Sequence, residues 1–373
     1  MRLALADRLR ELRISRDSLA SKTSLGLQRA SEILGGSEAT VSELRQICNG
    51  LRLPVQIFAD SSKREQSAIA PLFRSARDSA VEYDITVERI ALFVKSSLEL
   101  LPKRDSLPSW LNNFTQEQRS YPAADRLAKA ARILIDPNDV DGPLADLGLR
   151  LNKFDGLIVS PIEYTRYEGV SLIAGNYCFI FVSPRFSGRM LFTLGHEFGH
   201  IITDHVDGDF AKFEKSRDIG SFGKSRKSEA FVDTFSSCLL LPDVGIGKFF
   251  AFLTERGIME QGRITDREIL YLARFFGVSF DVAGLRLENL GLIPEGLTFS
   301  ISHYLREEFG SPEKRADFLN ISPRKSVSVP RIPLPLSDAI IKGINAGDIS
   351  IGWVSNSFGY SIGEIFAQRT RAS

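Results

Sequence analysis

Apolar residues recur at helical spacing through the first 60 residues of the chain. Positions three and four apart lie on one face of a helix, so this pattern predicts several short amphipathic helices. In the fourth of them, Ser37 is the candidate N-cap and residues 39–44 open the helix. A tight turn at Ser24–Gly26 separates two others, and short helices joined in this way are typical of a helix-turn-helix domain. The four segments are LADRLRELRI, RDSLASKTS, GLQRASEIL and SEATVSELRQICNGL.

Residues 61–140 carry helical patterns but no recognisable chemistry, and residues 301–373 carry helical patterns as well. In the first stretch, two strongly periodic segments predict helices, and a connection with three prolines between them predicts extended chain. We therefore interpret residues 61–140 as a helical linker. In the second stretch, the proline-rich residues 321–335 predict an exposed connection. The remainder predicts two or three helices that form an interaction or dimerisation module.

The pattern changes at residues 141–180, where β-branched and aromatic residues alternate along FDGLIVSPIEY and GVSLIAGNYCFIFVS. This alternation predicts strands, and Gly175–Asn176 suits the turn of a hairpin. A helix follows from about Gly188. The predicted fold class is therefore α+β and mostly helical. It comprises an all-α domain at residues 1–60, a domain with a small sheet and helices at 141–300, and the helical C-terminal module.

The composition is that of an ordinary globular protein with balanced charge. Lys and Arg number 47 against 46 Asp and Glu, which gives no reason to expect an extended polyanion-binding surface but leaves room for one small DNA-binding module. No run of 18 apolar residues occurs, and the first residues carry frequent charges, so we expect neither a membrane partner nor a secretory signal. The three cysteines are far apart and form no CxxC pair. These features favour a cytoplasmic location.

The distribution of histidines along the chain indicates a catalytic or metal-binding site. The chain has only four histidines, and three of them lie within ten residues, at His196, His200 and His205, whereas His303 stands apart. The first two form an HExxH motif with Glu197. On a helix, residues i and i+4 share a face, so two imidazoles can bind one tetrahedral Zn²⁺. Glu197 is rotated by about 100° from His196, so it can act as a general base on water without binding the metal.

A catalytic zinc site needs a third protein ligand and one open position. His205 follows His200 by five positions, so it points more than a turn further along and suits an orienting role or a place at the helix C-terminus better than ligation. Glu229 is the better candidate, because it opens the predicted helix EAFVDTFSSCLLLP. Asp233 lies on the same face of that helix and could accept a hydrogen bond from the far nitrogen of a ligating histidine. The alternative, that this acidic pair is a solvated helix edge, stays open.

The stretch FTLGHEFGH, followed about thirty residues later by ExxxDxFxxxLLLP, resembles the ImmA/IrrE family of metallopeptidases. The resemblance extends over about residues 140–300 and implies a gluzincin-like core. It implies that His196, His200 and Glu229 bind the metal and that Glu197 is the base. Asp233 stands where the family usually has Asn or Asp.

The chain departs from the family pattern at four positions. Asp204 stands where His is frequent, and Phe231 stands where Glu is frequent. Ser236 and Ser237 replace small alanines. None of these departures removes a required ligand, so the resemblance still implies a competent site.

The segment ISRDSLASKTSLGLQRASEILGGSEATVSELRQICNGLRLPVQIFA is similar to the XRE-type helix-turn-helix of phage repressors. The resemblance implies that Leu27–Leu34 is a recognition helix and that Gln28 and Arg29 face the major groove, where they could contact adenine and guanine. Glu32 and Glu38 lie where phosphates would be, so a domain retained for protein contact is the alternative. XRE-type domains commonly bind DNA as dimers, so the resemblance also implies a homodimer.

These features together predict a cytoplasmic endopeptidase that uses Zn²⁺, with Mn²⁺ as the alternative metal. The resemblance implies a protein substrate, namely a transcriptional regulator such as a helix-turn-helix repressor, cut by limited proteolysis. His303 is a candidate donor to the oxyanion, and Tyr177 and Tyr304 are others. The rival prediction is a DNA-binding regulator whose metallopeptidase-like domain senses a ligand or binds a partner. A scaffold with an inactive site is a third reading.

Overall fold

The chain forms two compact units, residues 1–105 with 332–373 and residues 106–331. Residues 140 and 300, where the sequence predicted boundaries, both lie within the second unit, and residues before and after each contribute to one hydrophobic core. The predicted domain limits stay a prediction. The computed structural model describes residues 2–12, 14–51, 53, 58, 85–114, 118–163, 165, 167–204, 210–215, 227–260 and 262–372.

Four short helices open the first unit and pack around their own core, in which Leu9, Leu19, Ile33 and Ile47 are fully buried. The sequence predicted all four helices, but it placed the start of the fourth too early. That helix begins at Val41 rather than after Ser37. The helices are α1 Arg2–Glu11, α2 Arg16–Lys22, α3 Leu27–Leu34 and α4 Val41–Leu51.

A reciprocal pair of hydrogen bonds explains the start of α4. The backbone N–H of Thr40 donates to Glu43 Oε2 at 2.7 Å, and the N–H of Glu43 donates to Thr40 Oγ1 at 3.1 Å. This is the capping box in which a Thr side chain and the Glu three residues later satisfy each other's backbone donors. Thr40 and Glu43, rather than Ser37, therefore cap the start of this helix.

The other described residues of the first unit form a small helical group from two distant parts of the chain. Among them, one helix precedes residue 105 and three come from the C-terminal segment, where the periodicity predicted two or three. The ring of Phe93 meets that of Phe358 edge-on, with centroids 5.3 Å apart. The helices are α5 Ile85–Leu100, α15 Leu334–Ala346, α16 Ile351–Phe358 and α17 Ile362–Ala372.

The second unit contains a four-stranded mixed sheet in the order β1-β3-β2-β4. β1 pairs with β3 in parallel, and the other pairings are antiparallel. Gly175 and Asn176 both have positive φ, which confirms the predicted hairpin turn between β2 and β3. The sequence analysis missed β4. The strands are β1 Leu157–Pro161, β2 Tyr167–Ala174, β3 Tyr177–Val182 and β4 Phe210–Lys215.

Helices pack against this sheet and against one another to complete the core of the second unit. The predicted extended connection between α5 and α6 contains a short 3₁₀ helix at Ser109–Asn113. Its Trp110 ring packs against Phe198 of α8, with centroids 5.9 Å apart. The helices are α6 Tyr121–Ile135, α7 Leu147–Leu151, α8 Ser187–Asp204, α9 Lys227–Leu240, α10 Asp243–Glu255, α11 Asp266–Phe276, α12 Phe280–Asn289, α13 Leu297–Phe309 and α14 Pro312–Phe318.

Two buried arginines hold the C-terminal end of α9. Arg132 of α6 donates to the carbonyl of Leu239, and Arg286 of α12 donates to the carbonyl of Leu241 at 3.0 Å. The last carbonyls of a helix have no partner within the helix, so these guanidinium groups satisfy acceptors that would otherwise be buried alone. The end of α9 is therefore tied to α6 and α12.

Within the described residues, no single helix has the length and apolar character needed to cross a membrane. A segment of α9 and the whole of α10 meet that criterion only jointly, across a bend of 43°.

Candidate metal site

Two glycines let α8 and α9 cross at very short range. A Cβ atom at Gly195 would lie 2.6 Å from Ser236 Oγ, and one at Gly199 would lie 2.7 Å from Val232 Cγ1. The Ser236 hydroxyl also donates to the carbonyl of Phe192 at 2.9 Å. Larger residues at these glycines would push the helices apart. The close crossing brings the first turn of α9 to the HExxH face of α8.

Three ligand atoms converge where the helices meet. His196 Nε2 lies 3.1 Å from His200 Nε2, and Glu229 Oε2 lies 3.2 Å from His200 Nε2 and 3.5 Å from His196 Nε2. Two ligand atoms at ~2.1 Å from a tetrahedral ion would be about 3.4 Å apart. Both histidines are fully buried, and the Glu229 side chain is 15% exposed. His196, His200 and Glu229 thus form a group that could hold a metal ion.

The other ring nitrogens support this interpretation. His196 Nδ1 lies 2.8 Å from Asp233 Oδ1, and His200 Nδ1 lies 3.1 Å from Asp204 Oδ2. A carboxylate only accepts hydrogen bonds, so beside Asp233 the Nδ1 of His196 carries the proton and its Nε2 presents a lone pair. His200 is in the same state when its Nδ1 donates to Asp204 rather than accepting from Lys212, whose Nζ also lies at 3.1 Å. In that state, two lone pairs face each other at 3.1 Å beside a carboxylate, an arrangement that a cation between them stabilises. The residues present therefore fit a divalent metal with two imidazole ligands and one carboxylate ligand.

The electrostatics of the cluster also favour positive charge at this point. Burial alone would lower the pKa of His196, but hydrogen bonds with Asp233 and Glu229 raise it to about 10. Burial alone would raise the pKa of Glu229, but hydrogen bonds with the two histidines hold it well below its usual range. The cluster therefore keeps Glu229 ionised and attracts a cation.

Glu197 lies on α8 between the two histidines and is fully buried. Its carboxylate passes directly over Gly169 of β2. A Cβ atom at Gly169 would lie 2.7 Å from Glu197 Cγ and closer still to Oε1. Only glycine leaves room for this side chain. The sequence analysis missed Gly169, although an isolated glycine inside a strand is a known sign of close approach.

The sequence marked Asp204 only as a departure from the family pattern and did not predict its contacts. Its carboxylate is 5% exposed and contacts His200, Lys212 and Arg119. Burial alone would raise the pKa of Asp204, but hydrogen bonds with His200 and Lys212 hold it well below its usual range. The spacing of four residues from His200 was a signal that could have revealed the contact.

The structure does not bring the other predicted donors into this cluster. His303 lies on the exposed face of α13, where its Nδ1 is 3.4 Å from Glu307 Oε2 of the same helix. Tyr304 is 54% exposed on α13, and Tyr177 is buried at the start of β3. His205 lies outside the described residues. Its predicted role, like that of His303 as an oxyanion donor, stays a prediction.

The two predicted DNA contacts lie on α3 and have partners of their own. Arg29 Nε donates to Glu43 Oε1 at 2.7 Å, and its Nη1 donates to Glu32 Oε2 at 2.9 Å. These hydrogen bonds raise the pKa of Arg29 above its ordinary value and lower the pKa of Glu43 to about 2. Gln28 Nε2 lies 3.3 Å from Glu32 Oε1. Arg29 would have to exchange these partners to contact DNA.

Part of the chain matches a known protein family. Residues 163–288 match the family model of the IrrE N-terminal-like domain of the M78 peptidases, which is about a third of the chain. The matched range contains the candidate ligands, Glu197 and Asp233. A search of curated proteins found no match. Residues 163–288 are therefore similar to the ImmA/IrrE metallopeptidases, as the HExxH segment predicted.

Proposed function

We propose that this chain is a zinc-dependent endopeptidase that cuts a regulatory protein at one or a few sites. The observation that carries the proposal is the convergence of His196, His200 and Glu229, whose ligand atoms lie 3.1–3.5 Å apart. Two imidazoles with one carboxylate make a ligand set typical of catalytic zinc in peptidases. Mn²⁺ is the alternative metal, because the geometry alone does not select between them.

The chemistry of the side chains assigns their roles. When bound, a divalent metal would supply Lewis-acid chemistry that makes water a nucleophile near neutral pH. Glu197 would accept the proton of that water on its carboxylate and deliver it to the leaving amine. Asp233 would hold His196 in the tautomer that presents Nε2. The close fit of Gly169 would limit the positions open to the Glu197 carboxylate.

The burial of the cluster supports limited proteolysis. Both histidines are fully buried, and Glu229 keeps only 15% of its side-chain exposure. A folded protein surface could not reach such a cluster, whereas an extended segment could. We therefore propose a substrate with one accessible segment, such as a helix-turn-helix repressor, and a role in relieving repression.

A second candidate is a DNA-binding regulator. It is supported by α2 and α3, which are joined by four residues and pack on a core shared with α1 and α4. We would measure fluorescence anisotropy of labelled duplex DNA with the full chain. Binding that weakens steeply with salt and with Gln28→Ala, but not with Arg16→Met on the neighbouring α2, would support it. If the full chain did not bind DNA, the peptidase would remain as the proposed function.

The first experiment is the metal content of the purified full-length chain, measured by elemental mass spectrometry. We expect about one zinc per chain, lost in His196→Ala and in Glu229→Ala. His303→Ala is the matched control, because it removes a histidine from an exposed helix and should keep the metal. A chain without zinc after zinc addition would overturn the proposal. Loss in His196→Ala but not in Glu229→Ala would make His205 the third ligand instead.

The substrate class needs its own test. We would incubate the zinc-loaded chain with a helix-turn-helix repressor and with casein and would map the products by mass spectrometry. One or two cuts in the repressor, absent with Glu197→Gln, would support regulation. Many cuts in casein would contradict it.

A further inference from the structure

We propose that Asp204 is a positioning residue for His200 and that Arg119 and Lys212 hold it in place. The inference rests on the metal site of the proposed function and adds to it an outer ionic group, which we name the Asp204 bracket: Arg119, Asp204 and Lys212.

The carboxylate of Asp204 is held on both oxygens. Oδ2 lies 3.1 Å from His200 Nδ1, and Oδ1 accepts from Arg119 Nη2 at 2.7 Å. The hydroxyl of Thr203 lies 3.2 Å from Oδ1, but its single hydrogen donates to the carbonyl of Gly199 at 2.8 Å. At 5% exposure, the carboxylate has few alternative partners in water. Its orientation is therefore fixed, and with it the direction in which the His200 ring points.

The tautomer of His200 decides which neighbour orients the ring. His200 Nδ1 has two neighbours at 3.1 Å, the carboxylate of Asp204 and the ammonium of Lys212. An ammonium can only donate, and a carboxylate can only accept. Because Nε2 must be unprotonated to bind a metal, Nδ1 carries the proton and Asp204 is the group that can accept it. Lys212 consequently bonds to the carboxylate rather than to the ring.

Lys212 lies on β4, the strand at one edge of the described sheet. It lies opposite Ser171 of β2, and its Nζ is 2.5 Å from Asp204 Oδ2. Arg119 enters from the segment before α6, 85 residues away along the chain. The direction of His200 thus depends on three separate segments of the second unit.

The charges of the named groups also suit a divalent ion. When both histidines are neutral, as metal binding requires, the four carboxylates and two cations of this region leave two negative charges for a metal to balance. Without the bracket's cations, the buried carboxylates would repel one another more strongly. The carboxylates are Glu197, Asp204, Glu229 and Asp233, and the cations are Arg119 and Lys212.

The test is the zinc affinity of the full-length chain, measured by competition with a chromophoric chelator. Asp204→Asn should bind Zn²⁺ 10- to 100-fold more weakly, the range found for outer partners of ligating histidines. The visible absorption spectrum of the Co²⁺ form should also change, because the ring direction alters the ligand field. Asp266→Asn is the matched control. It removes the charge of a half-buried carboxylate on α11, whose Oδ2 accepts a hydrogen bond from Arg315 Nε at 3.0 Å. It should leave both readouts unchanged.

A double variant, Arg119→Met with Lys212→Met, separates positioning from simple charge. Removing two positive charges near a cation site should tighten zinc binding if only charge matters. If the two cations hold Asp204 in position, binding should instead weaken, and the Co²⁺ spectrum should change as with Asp204→Asn. Tighter or unchanged binding would overturn the role of the two cations. Thermal unfolding of the metal-free variants checks that they fold.

The outcomes distinguish this inference from the proposed function. Parent-like zinc affinity and an unchanged Co²⁺ spectrum in Asp204→Asn would overturn the inference and leave the peptidase intact. Zinc binding by the parent without cleavage of any protein would overturn the peptidase and leave the inference intact. A parent chain that binds no zinc would overturn both.

Discussion

The surroundings of His200 in the second unit and those of Arg29 in the first contain similar residue types but differ in burial. His200 is fully buried, and its nitrogens meet Asp204 and Glu229. The Arg29 side chain is 34% exposed and pairs with Glu32 and Glu43. Buried charges are costly unless they are compensated, whereas exposed ion pairs add little. Convergence of buried polar groups is thus informative about function, and convergence at the surface is much less so.

The largest expected effect follows from Glu197→Gln. Loss of the base should slow peptide hydrolysis by about 10²- to 10⁴-fold. Zinc content should stay at one per chain, because Glu197 is not among the three converging ligands. Glu307→Gln on the exposed face of α13 is the control. Hydrolysis at the parent rate would contradict the conclusion that converging buried polar groups indicate function, because the fully buried Glu197 would then have no catalytic role.

Gly169→Ala tests the same carboxylate without altering it. The added methyl group would overlap Glu197 and displace it, and a shift of about 1 Å can lower a rate by about 10²-fold. We expect kcat to fall while zinc affinity stays at the parent value. Gly247→Ala on α10 is the matched control, since a Cβ there meets nothing within 4 Å. Equal zinc loss and rate loss would contradict a role confined to Glu197.

Gly199→Ala tests the helix crossing that gathers the ligands. Its methyl group would lie 2.7 Å from Val232 Cγ1 and 2.9 Å from Phe235 Cδ1. Such overpacking should lower the free energy of unfolding by about 1–3 kcal/mol and weaken zinc binding. Urea unfolding of the metal-free chain and chelator competition measure the two effects. Gly247→Ala should instead raise the free energy of unfolding by about 0.5–1 kcal/mol, because alanine suits an open helix position.

The smallest expected effect concerns Glu43→Gln in the first unit. The hydrogen bond from Arg29 lowers the pKa of Glu43 from 4.5 to about 2. A carboxylate with a lowered pKa stabilises the folded state above its unfolded pKa and loses that contribution as pH falls toward the folded value. The small difference in unfolding midpoint between parent and variant should therefore vanish between pH 4.5 and about 2. Calorimetry at several pH values checks this, and a constant difference would contradict it.

Local geometry made part of the site predictable from the sequence. Helical spacing alone puts His196 and His200 on one face, and the structure brings their Nε2 atoms together. Glu229 and Asp233 were also found from spacing, because the apolar stripe beside them predicts which face of α9 meets α8. The small sheet and its Gly175–Asn176 turn followed from strand alternation and turn chemistry.

The remainder depends on contacts between distant segments. Asp204 acquires its role from Lys212 and Arg119, and only the folded chain brings Arg119 near it. Trp110 lies in a stretch whose prolines predict extended chain, yet burial against Phe198 favours a 3₁₀ turn there. Tertiary packing overrides local preference at such positions.

Because α9 is held at its C-terminal end, a small tilt there displaces its N-terminal end, which carries Glu229. Arg132 and Arg286 fix the carbonyls of Leu239 and Leu241, whereas Glu229 lies ten residues before Leu239. Ten residues span about 15 Å, so a tilt of about 4° at the anchored end moves Glu229 by about 1 Å. That displacement is about half of a ~2.1 Å metal–ligand bond. The position of Glu229 therefore depends on two guanidinium groups at the far end of its helix as well as on the glycine crossing near the metal site.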